Sequence, residues 1–516
     1  MTPVTPSAQA VAYADPVADA VVSGVKKDAN YVFLELTRSI CPTCRRVIDA
    51  QVLLRSGKVF MRKRCPEHGV FEALVYGDSD AYVRLARFNK PGTIPLAFNS
   101  EVRNGCPHDC GLCPEHQQHA CLGIIEVNSA CNMDCPLCFA NAGHGFNLTL
   151  AEVEEILDNL VRTEGAPEVV QFSGGEPSIH PQIVEMLRAA KERPIRHVML
   201  NTNGKRIARD DRFLAELAEI KPAIYFQFDG FEERTYEVLR GEAGILPEKL
   251  RALDRLAEAG CPVVLVPAVE RGVNEHEVGR IVEFAIAHPA VFGVNFQPAF
   301  HAGRHIDHDP LCRLTIPDIL RSLEEQTKGL FRVSDFVPVP CCFPTCNSVT
   351  YAVVDGGKVT PITRLLDVDD YLDYIANRVL PDELAIRQAL EGLWSSSAVP
   401  GADKAAQNFA IACEACGLPG AGWEDVRERM FMIMLQDFMD PWTFNQKNVM
   451  KCCKEILLPD GHQIPFCAYN SVGYREQARA QLGKRERLRR QAARSGIESK
   501  PAPIRFDFTS KWRAAT

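Results

Sequence analysis

Residues 122–143 read "LGIIEVNSACNMDCPLCFANAG". An apolar run with the composition of a buried strand, "LGIIEVN", leads directly into Cys131, Cys135 and Cys138, with three and then two residues between them. Thiols this close in a reducing compartment read as metal ligands more readily than as disulfides. A closed zinc knuckle requires a fourth ligand, and the nearest candidate downstream is His144. Three thiolates on one short loop can instead hold three irons of a cubane cluster and leave the fourth open to a small molecule. A catalytic metal site keeps a vacant position for the same reason.

Beyond this loop the chain alternates between strand and helix. Apolar runs recur at "EVVQFSG", "HVMLNTN", "IYFQFDG", "PVVLVPAVE" and "VFGVNFQPA", with amphipathic stretches between them. In "TLAEVEEILDNLVR", Leu150, Val153, Ile156, Leu157 and Leu160 share one helical face, and Thr149 with Glu152 makes a capping-box start. Six β/α units in order predict a parallel sheet curled into a partial (β/α)6 barrel, with its chemistry at the C-terminal strand ends. The second strand closes on "FSGGEP", Phe172 to Pro177. Its glycines allow close backbone approach, and the Glu176 carboxylate can accept from a ligand ammonium.

The chain has 516 residues, enough for about three domains, with 24% charged and 46% hydrophobic residues. A formal net charge of -8 argues against a general nucleic-acid binder. The first residues lack a basic n-region and an apolar h-region and read as a flexible leader, so a cytoplasmic protein is expected. Twenty cysteines fall mostly in clusters, while Cys261 and Cys312 stand apart, Cys261 reading as a core thiol. The expected organisation is a leader (1–29), a small β-rich module with "RSGK" as a hairpin turn (30–75), a cysteine-bearing connector (76–121), the barrel (122–312), a cysteine-rich C-terminal accessory domain (313–475) and a basic tail (476–516). The tail reads either as a solvated helix that frays or as an arm touching anionic lipid.

The three-cysteine loop after the first strand and the GGE turn after the second resemble the radical S-adenosylmethionine (SAM) superfamily. The resemblance implies SAM chelating the open iron of a 4Fe–4S cluster on Cys131, Cys135 and Cys138. One-electron reduction, from a donor such as ferredoxin or flavodoxin, would then give a 5′-deoxyadenosyl radical that abstracts hydrogen from substrate. It further implies that Gly174, Gly175 and Glu176 meet the methionyl amine and that Leu137 or Phe139 packs near the adenine. Asn201, Asn203, Gln227, Asp229 and the stretch from Glu270 to Asn274 occupy later strand ends as weaker candidates for cosubstrate contacts.

A narrower resemblance rests on "CPHDCGLCPEHQQHAC", "VERGVNEHEVG", "VNFQPAFHAGR" and "PDGHQIPFCAYN". Together these are similar to the archaeal tetraether lipid synthase group, a family also described as methylating a pterin precursor. The match runs from about residue 30 to 475. It implies an auxiliary 4Fe–4S cluster on Cys106, Cys110, Cys113 and Cys121, with a connector zinc site as the alternative. It implies a second auxiliary cluster on Cys341, Cys346, Cys453 and Cys467, with Cys342 and Cys452 as close alternatives and Cys413 and Cys416 as a separate pair or surface thiols. Cys41, Cys44 and Cys65 look like a rubredoxin-type knuckle pair for one mononuclear iron or zinc, with His68 standing where a fourth cysteine is expected.

The leading expectation is therefore a radical SAM enzyme forming carbon–carbon bonds, coupling or modifying membrane-lipid hydrocarbon tails, with peripheral membrane contact. The alternative is a radical C-methyltransferase acting on a pterin-like heterocycle. A non-catalytic metal scaffold would need an incomplete cosubstrate site, and a peptide-modifying enzyme would need different C-terminal cysteine spacings. Pocket shape separates the first two: a long dry groove against a short polar slot. "FMIMLQDFMDPWTF" (431–444) is the expected groove lining, with plain core as its alternative, and "HAGRHIDH", carrying His301, Arg304, His305 and His308, meets a headgroup or is a solvated loop.

Overall fold

Four strands near the N-terminus, β1 (Val32–Ile40), β2 (Val47–Arg55), β3 (Lys58–Cys65) and β4 (Gly69–Tyr76), form an antiparallel sheet in the order 1-2-3-4. Ser56 and Gly57 join β2 to β3 with φ of 50° and 72°, the left-handed pair that a two-residue hairpin loop requires. The expected "RSGK" turn is therefore present. The computed structural model describes residues 29–143, 145–339, 342–355, 358–364, 430–495 and 504–508. His144, Cys341, Cys413, Cys416, nearly all of the leader and the end of the tail lie outside the described residues.

Each of the six apolar runs forms a strand: β5 (Leu122–Asn128), β6 (Val169–Gly174), β7 (His197–Thr202), β8 (Ala223–Gln227), β9 (Val263–Val266) with the short β10 (Ala268–Val269) behind it, and β11 (Val291–Pro298). They pair in parallel in the order 5-6-7-8-9-11. Helix α1 (Leu150–Glu164) buries Val153, Ile156, Leu157 and Leu160, and its capping box is formed as expected. Further helices, α2 (Ile183–Lys191), α3 (Asp211–Ile220), α4 (Glu233–Arg240), α5 (Leu246–Glu258) and α6 (Val278–Ala287), follow successive strands and cover the outside of the sheet. Outward residues such as Phe172, Leu200, Phe226, Leu265 and Phe296 are buried in one continuous core with these helices.

The sheet extends beyond the six strands. After β12 (Val337–Pro338), β13 (Asn347–Asp355) and β14 (Lys358–Pro361), strand β15 (Met430–Gln436) adds in parallel to β11. Strand β16 (Lys454–Leu457) adds in parallel to β5 at the opposite edge and is followed by the antiparallel β17 (Gln463–Pro465). The sheet thus runs across the boundary expected at 312/313. One cavity touches residues of β5, β6, β7, β8, β11, β15 and β16, which requires the sheet to curl into a barrel. Lys454 Nζ reaches Asn347 Oδ1 at 2.9 Å across the seam between β16 and β13.

The stretch 431–444 divides between core and cavity lining: Met434 and Gln436 face the barrel cavity, and Asp437, Phe438 and Met439 face a second pocket beside it. Residues 431–436 belong to β15, where Phe431, Ile433 and Leu435 are plain core. The tail up to Arg494 forms helix α7 (Tyr474–Arg494), which docks on the barrel. Arg475 pairs with the buried Glu126, while Arg485 and Arg489 both reach Glu152 Oε1 at 2.6 Å. No helix among the described residues is long and apolar enough to cross a membrane.

Candidate active site and metal centres

Strand β5 delivers Cys131, Cys135 and Cys138 to the C-terminal mouth of the barrel, where all three are partly exposed. The GGE turn after β6 clamps this loop through its backbone: Gly175 N–H donates to Asn128 O (3.0 Å) and Glu176 N–H to Ala130 O (2.8 Å). A Cβ on Gly174 would lie 2.2 Å from Asn128 O, and one on Gly175 would lie 2.1 Å from Ala130 O, so only glycine permits this approach. On the other side, Cys138 and Arg304 exchange backbone hydrogen bonds of 2.8 and 3.0 Å. Burial pushes the Cys131 thiol up to about 12. Burial also raises Cys135, against the opposing charge of Arg240. These thiols hold their protons until a metal displaces them. Three sulfurs on one loop at a strand-end mouth fit a cluster that leaves one iron without a protein ligand.

Several residues expected at the cosubstrate also hold the scaffold. Glu176 is 2% exposed, and its Oε1 accepts from Ser178 N–H (3.0 Å) and Thr202 Oγ1 (2.8 Å) while Oε2 accepts from Asn203 N–H (2.8 Å). Its carboxylate is therefore already engaged in fastening the "NTNG" turn. Asp229 is fully buried and takes a two-pronged guanidinium from Arg240, at 2.7 and 2.6 Å. Asn274, also fully buried, donates to Asp229 O and Ala268 O, each at 2.8 Å. Asn203 Nδ2 donates to Asn132 Oδ1 (2.7 Å), tying the turn to the cysteine loop. Leu137 packs against Leu239 and Ala299. Phe139 joins Phe300 and Phe466 in an aromatic wall.

Two cations at this mouth had no sequence signal. Arg240 ends α4 and also donates to Leu137 O on the cysteine loop (3.4 Å). Lys249 in α5 is buried, and its three N–H donors meet Asn203 O (3.2 Å), Gln227 O (2.8 Å) and Gln227 Oε1 (2.7 Å). Both lie on helices between strands, and only tertiary packing brings them to the strand ends.

Below the mouth, amides share the inner face of the barrel with the apolar Leu122, Val169, Met199 and Met434. Gln171, Ser173, Asn201, Tyr225, Gln227, Asn295, Gln297 and Gln436 point inward, in positions that branched aliphatic residues ordinarily fill. Tyr225 OH receives Asn295 Nδ2 (2.5 Å) and Gln297 Nε2 (2.9 Å). Asn201 Nδ2 donates to Ser173 Oγ (3.1 Å). Asn295 Oδ1 is buried without a hydrogen-bond partner. The cavity at this level holds about 20 Å³, room for about one water molecule.

The remaining cysteines gather at three places. Cys41, Cys44, Cys65 and His68 bring four ligand atoms within 4.8 Å of one another, so His68 takes the fourth corner of the N-terminal knuckle. Burial raises the Cys65 thiol, but hydrogen bonds from His68 and from backbone N–H groups outweigh it and bring the thiol down to about 7, toward the ligating thiolate. Cys106, Cys110 and Cys113 line one pocket with His116. Cys121, expected as their fourth partner, sits at the foot of β5 next to β16 and lines the barrel cavity beside Cys453. Cys342, Cys346, Cys452, Cys453 and Cys467 line a small pocket at the barrel seam. Of the set expected there, Cys346, Cys453 and Cys467 are present, and both alternatives, Cys342 and Cys452, stand with them.

Comparison with known proteins gives two family matches: the Radical SAM superfamily over residues 125–285 and the HMPTM N-terminal zinc ribbon domain over residues 33–77. The chain is 34% identical over 481 residues to 7,8-dihydro-6-hydroxymethylpterin dimethyltransferase of Methanocaldococcus jannaschii, an alignment covering 85% of this chain and 94% of that protein. It is 28% identical over 184 residues to a probable GTP 3′,8-cyclase of Methanocella arvoryzae, covering 34% and 58% of the two chains. Among solved structures it is similar to Streptococcus suis SuiB bound to its precursor peptide SuiA, at 18% identity and a TM-score of 0.36 over 41% of this chain and 46% of that one.

Proposed function

The chain belongs to the radical SAM superfamily, in the family of 7,8-dihydro-6-hydroxymethylpterin dimethyltransferase, and on that premise we propose that it methylates carbon in a pterin-like heterocycle. Membership carries SAM and one 4Fe–4S cluster as cofactors, which when bound supply a 5′-deoxyadenosyl radical for hydrogen abstraction. In this reading Cys131, Cys135 and Cys138 hold that cluster, and Arg240 and the GGE backbone keep the loop in place. The knuckle at Cys41, Cys44, Cys65 and His68 takes one zinc or iron. The pockets at Cys106/Cys110/Cys113 and at the barrel seam take auxiliary clusters, and a reducing protein such as ferredoxin or flavodoxin supplies electrons.

The observation that carries the substrate class is the set of amides facing the lumen. A hydrocarbon chain laid against Gln171, Asn295, Gln297 and Gln436 would strip their hydration and return nothing, at about 1–3 kcal/mol for each buried polar group left unpaired. A flat heterocycle bearing lactam and amino groups can donate to and accept from the same amides, and Asn295 Oδ1 is an acceptor already turned inward. Lipid-tail coupling, the leading expectation above, requires the opposite lining, and the relative that aligns over most of this chain is named for a pterin.

The test is anaerobic incubation of the reconstituted enzyme with a reductant, SAM and a 7,8-dihydropterin bearing a 6-hydroxymethyl group. Methyl groups gained by the pterin support the reading. An unmodified pterin, together with lipid extracts containing newly fused tails, would replace it with lipid coupling.

A further inference from the structure

The loop after β11 carries "HAGRHIDH" (301–308), which the site above does not absorb. His301 is 3% exposed, and its Nε2 faces Glu270 Oε2 at 2.9 Å. Its other ring nitrogen, Nδ1, is buried without a hydrogen bond and lies 3.7 Å from Asp440 Oδ2. His308 Nε2 is likewise buried without a hydrogen bond. Asp440 is 2% exposed and held by its Oδ1, which accepts from the N–H of Trp442 (2.9 Å), the N–H of Thr443 (3.0 Å) and the Thr443 hydroxyl (3.1 Å). That leaves Oδ2 turned toward the rings. One ligand atom from each of His301, His308 and Asp440 lies within 4.8 Å of the other two. The neighbouring guanidinium of Arg313 is committed to Asp437.

A histidine that gives one ring N–H to a carboxylate and aims the other nitrogen at further donors is oriented as metal-ligating histidines are. Two imidazole nitrogens and a carboxylate oxygen form a donor set that zinc and its neighbours accept. We propose that His301, His308 and Asp440 bind a divalent cation of the zinc class, with Glu270 orienting His301. The site joins the loop after β11 to the loop after β15 across the barrel mouth, and three protein ligands leave one position open. The rings of His301 and His308 stack, with 3.6 Å between centroids and 4° between planes, so coordination requires His308 to tilt out of the stack. His308 is the less buried of the two and sits in the loop, where that movement displaces little.

The test uses the full chain with its clusters reconstituted, incubated with zinc, desalted and analysed for zinc and iron by mass spectrometry. Wild type is expected to hold one zinc per chain more than His308→Ala or His308→Gln, at equal iron content. The wild-type zinc edge should carry a nitrogen and oxygen component beyond the single His68 nitrogen of the knuckle, and both variants should lose that excess. Equal zinc in all three proteins would overturn the proposal and leave the residues as a metal-free stacked pair between two carboxylates. Iron measured alongside separates loss of this site from loss of the fold.

Discussion

Glu176 accepts three hydrogen bonds from its own chain, two of them from the backbone of segments that follow different strands. Glu176→Gln replaces one oxygen with a donor facing N–H or O–H groups, so one or more buried donors lose their partner. The expected loss of stability is about 1–3 kcal/mol, read by denaturant titration. An unchanged midpoint would mean that the carboxylate is not the fastener described here. At this scale the cysteine loop was legible because its spacing is local: three thiols within eight residues need no tertiary knowledge. The roles of Asp229 and Asn274 were not legible, since strand-end polar residues read alike whether they face a ligand or another strand. Arg240 and Lys249 were missed for a related reason, because a cation on an amphipathic helix reads as a solvated face until its acceptors are known.

Among the elements, the six barrel strands and α1 followed from periodicity and a capping box, both local signals. Strands β15 and β16 did not, because each joins the sheet beside a strand distant in sequence. The N-terminal ribbon is fastened to the loop after β15 by the Thr37 hydroxyl on Asn445 Oδ1 (2.8 Å), by Phe71 against Trp442 and by the buried Lys63 Nζ. That ammonium donates to Ser39 Oγ (3.0 Å), Pro441 O (2.7 Å) and Trp442 O (2.8 Å). Burial pushes Lys63 from 10.5 down to about 7, although the charge of Asp440 pulls it upward. Between those values the unfolded chain binds more protons than the folded one, so the Lys63 contribution grows as pH rises from about 7 and is lost as pH falls through it. Denaturant unfolding of wild type and Lys63→Met across this range should show a free-energy difference that shifts in favour of wild type with rising pH. A difference independent of pH would contradict the assignment.

Over the whole molecule, the eight parallel strands formed by the six plus β15 and β16 explain why the cysteine groups could not be sorted by spacing alone. Pairing β16 with β5 carries Cys453 to Cys121 and leaves Cys106, Cys110 and Cys113 in a pocket of their own. The same closure gathers inward-facing amides into one lumen that no single strand reveals, since each contributes only one or two of them. That lumen, under a loop of three partly exposed thiols, joins fold to chemistry. The most direct measurement is the electron paramagnetic resonance spectrum of the reduced, reconstituted full chain with and without SAM. SAM is expected to shift the g values of one cluster signal in wild type, and that response should vanish in Cys135→Ala while the other signals persist. A wild-type spectrum that SAM leaves untouched would contradict an iron held open by Cys131, Cys135 and Cys138.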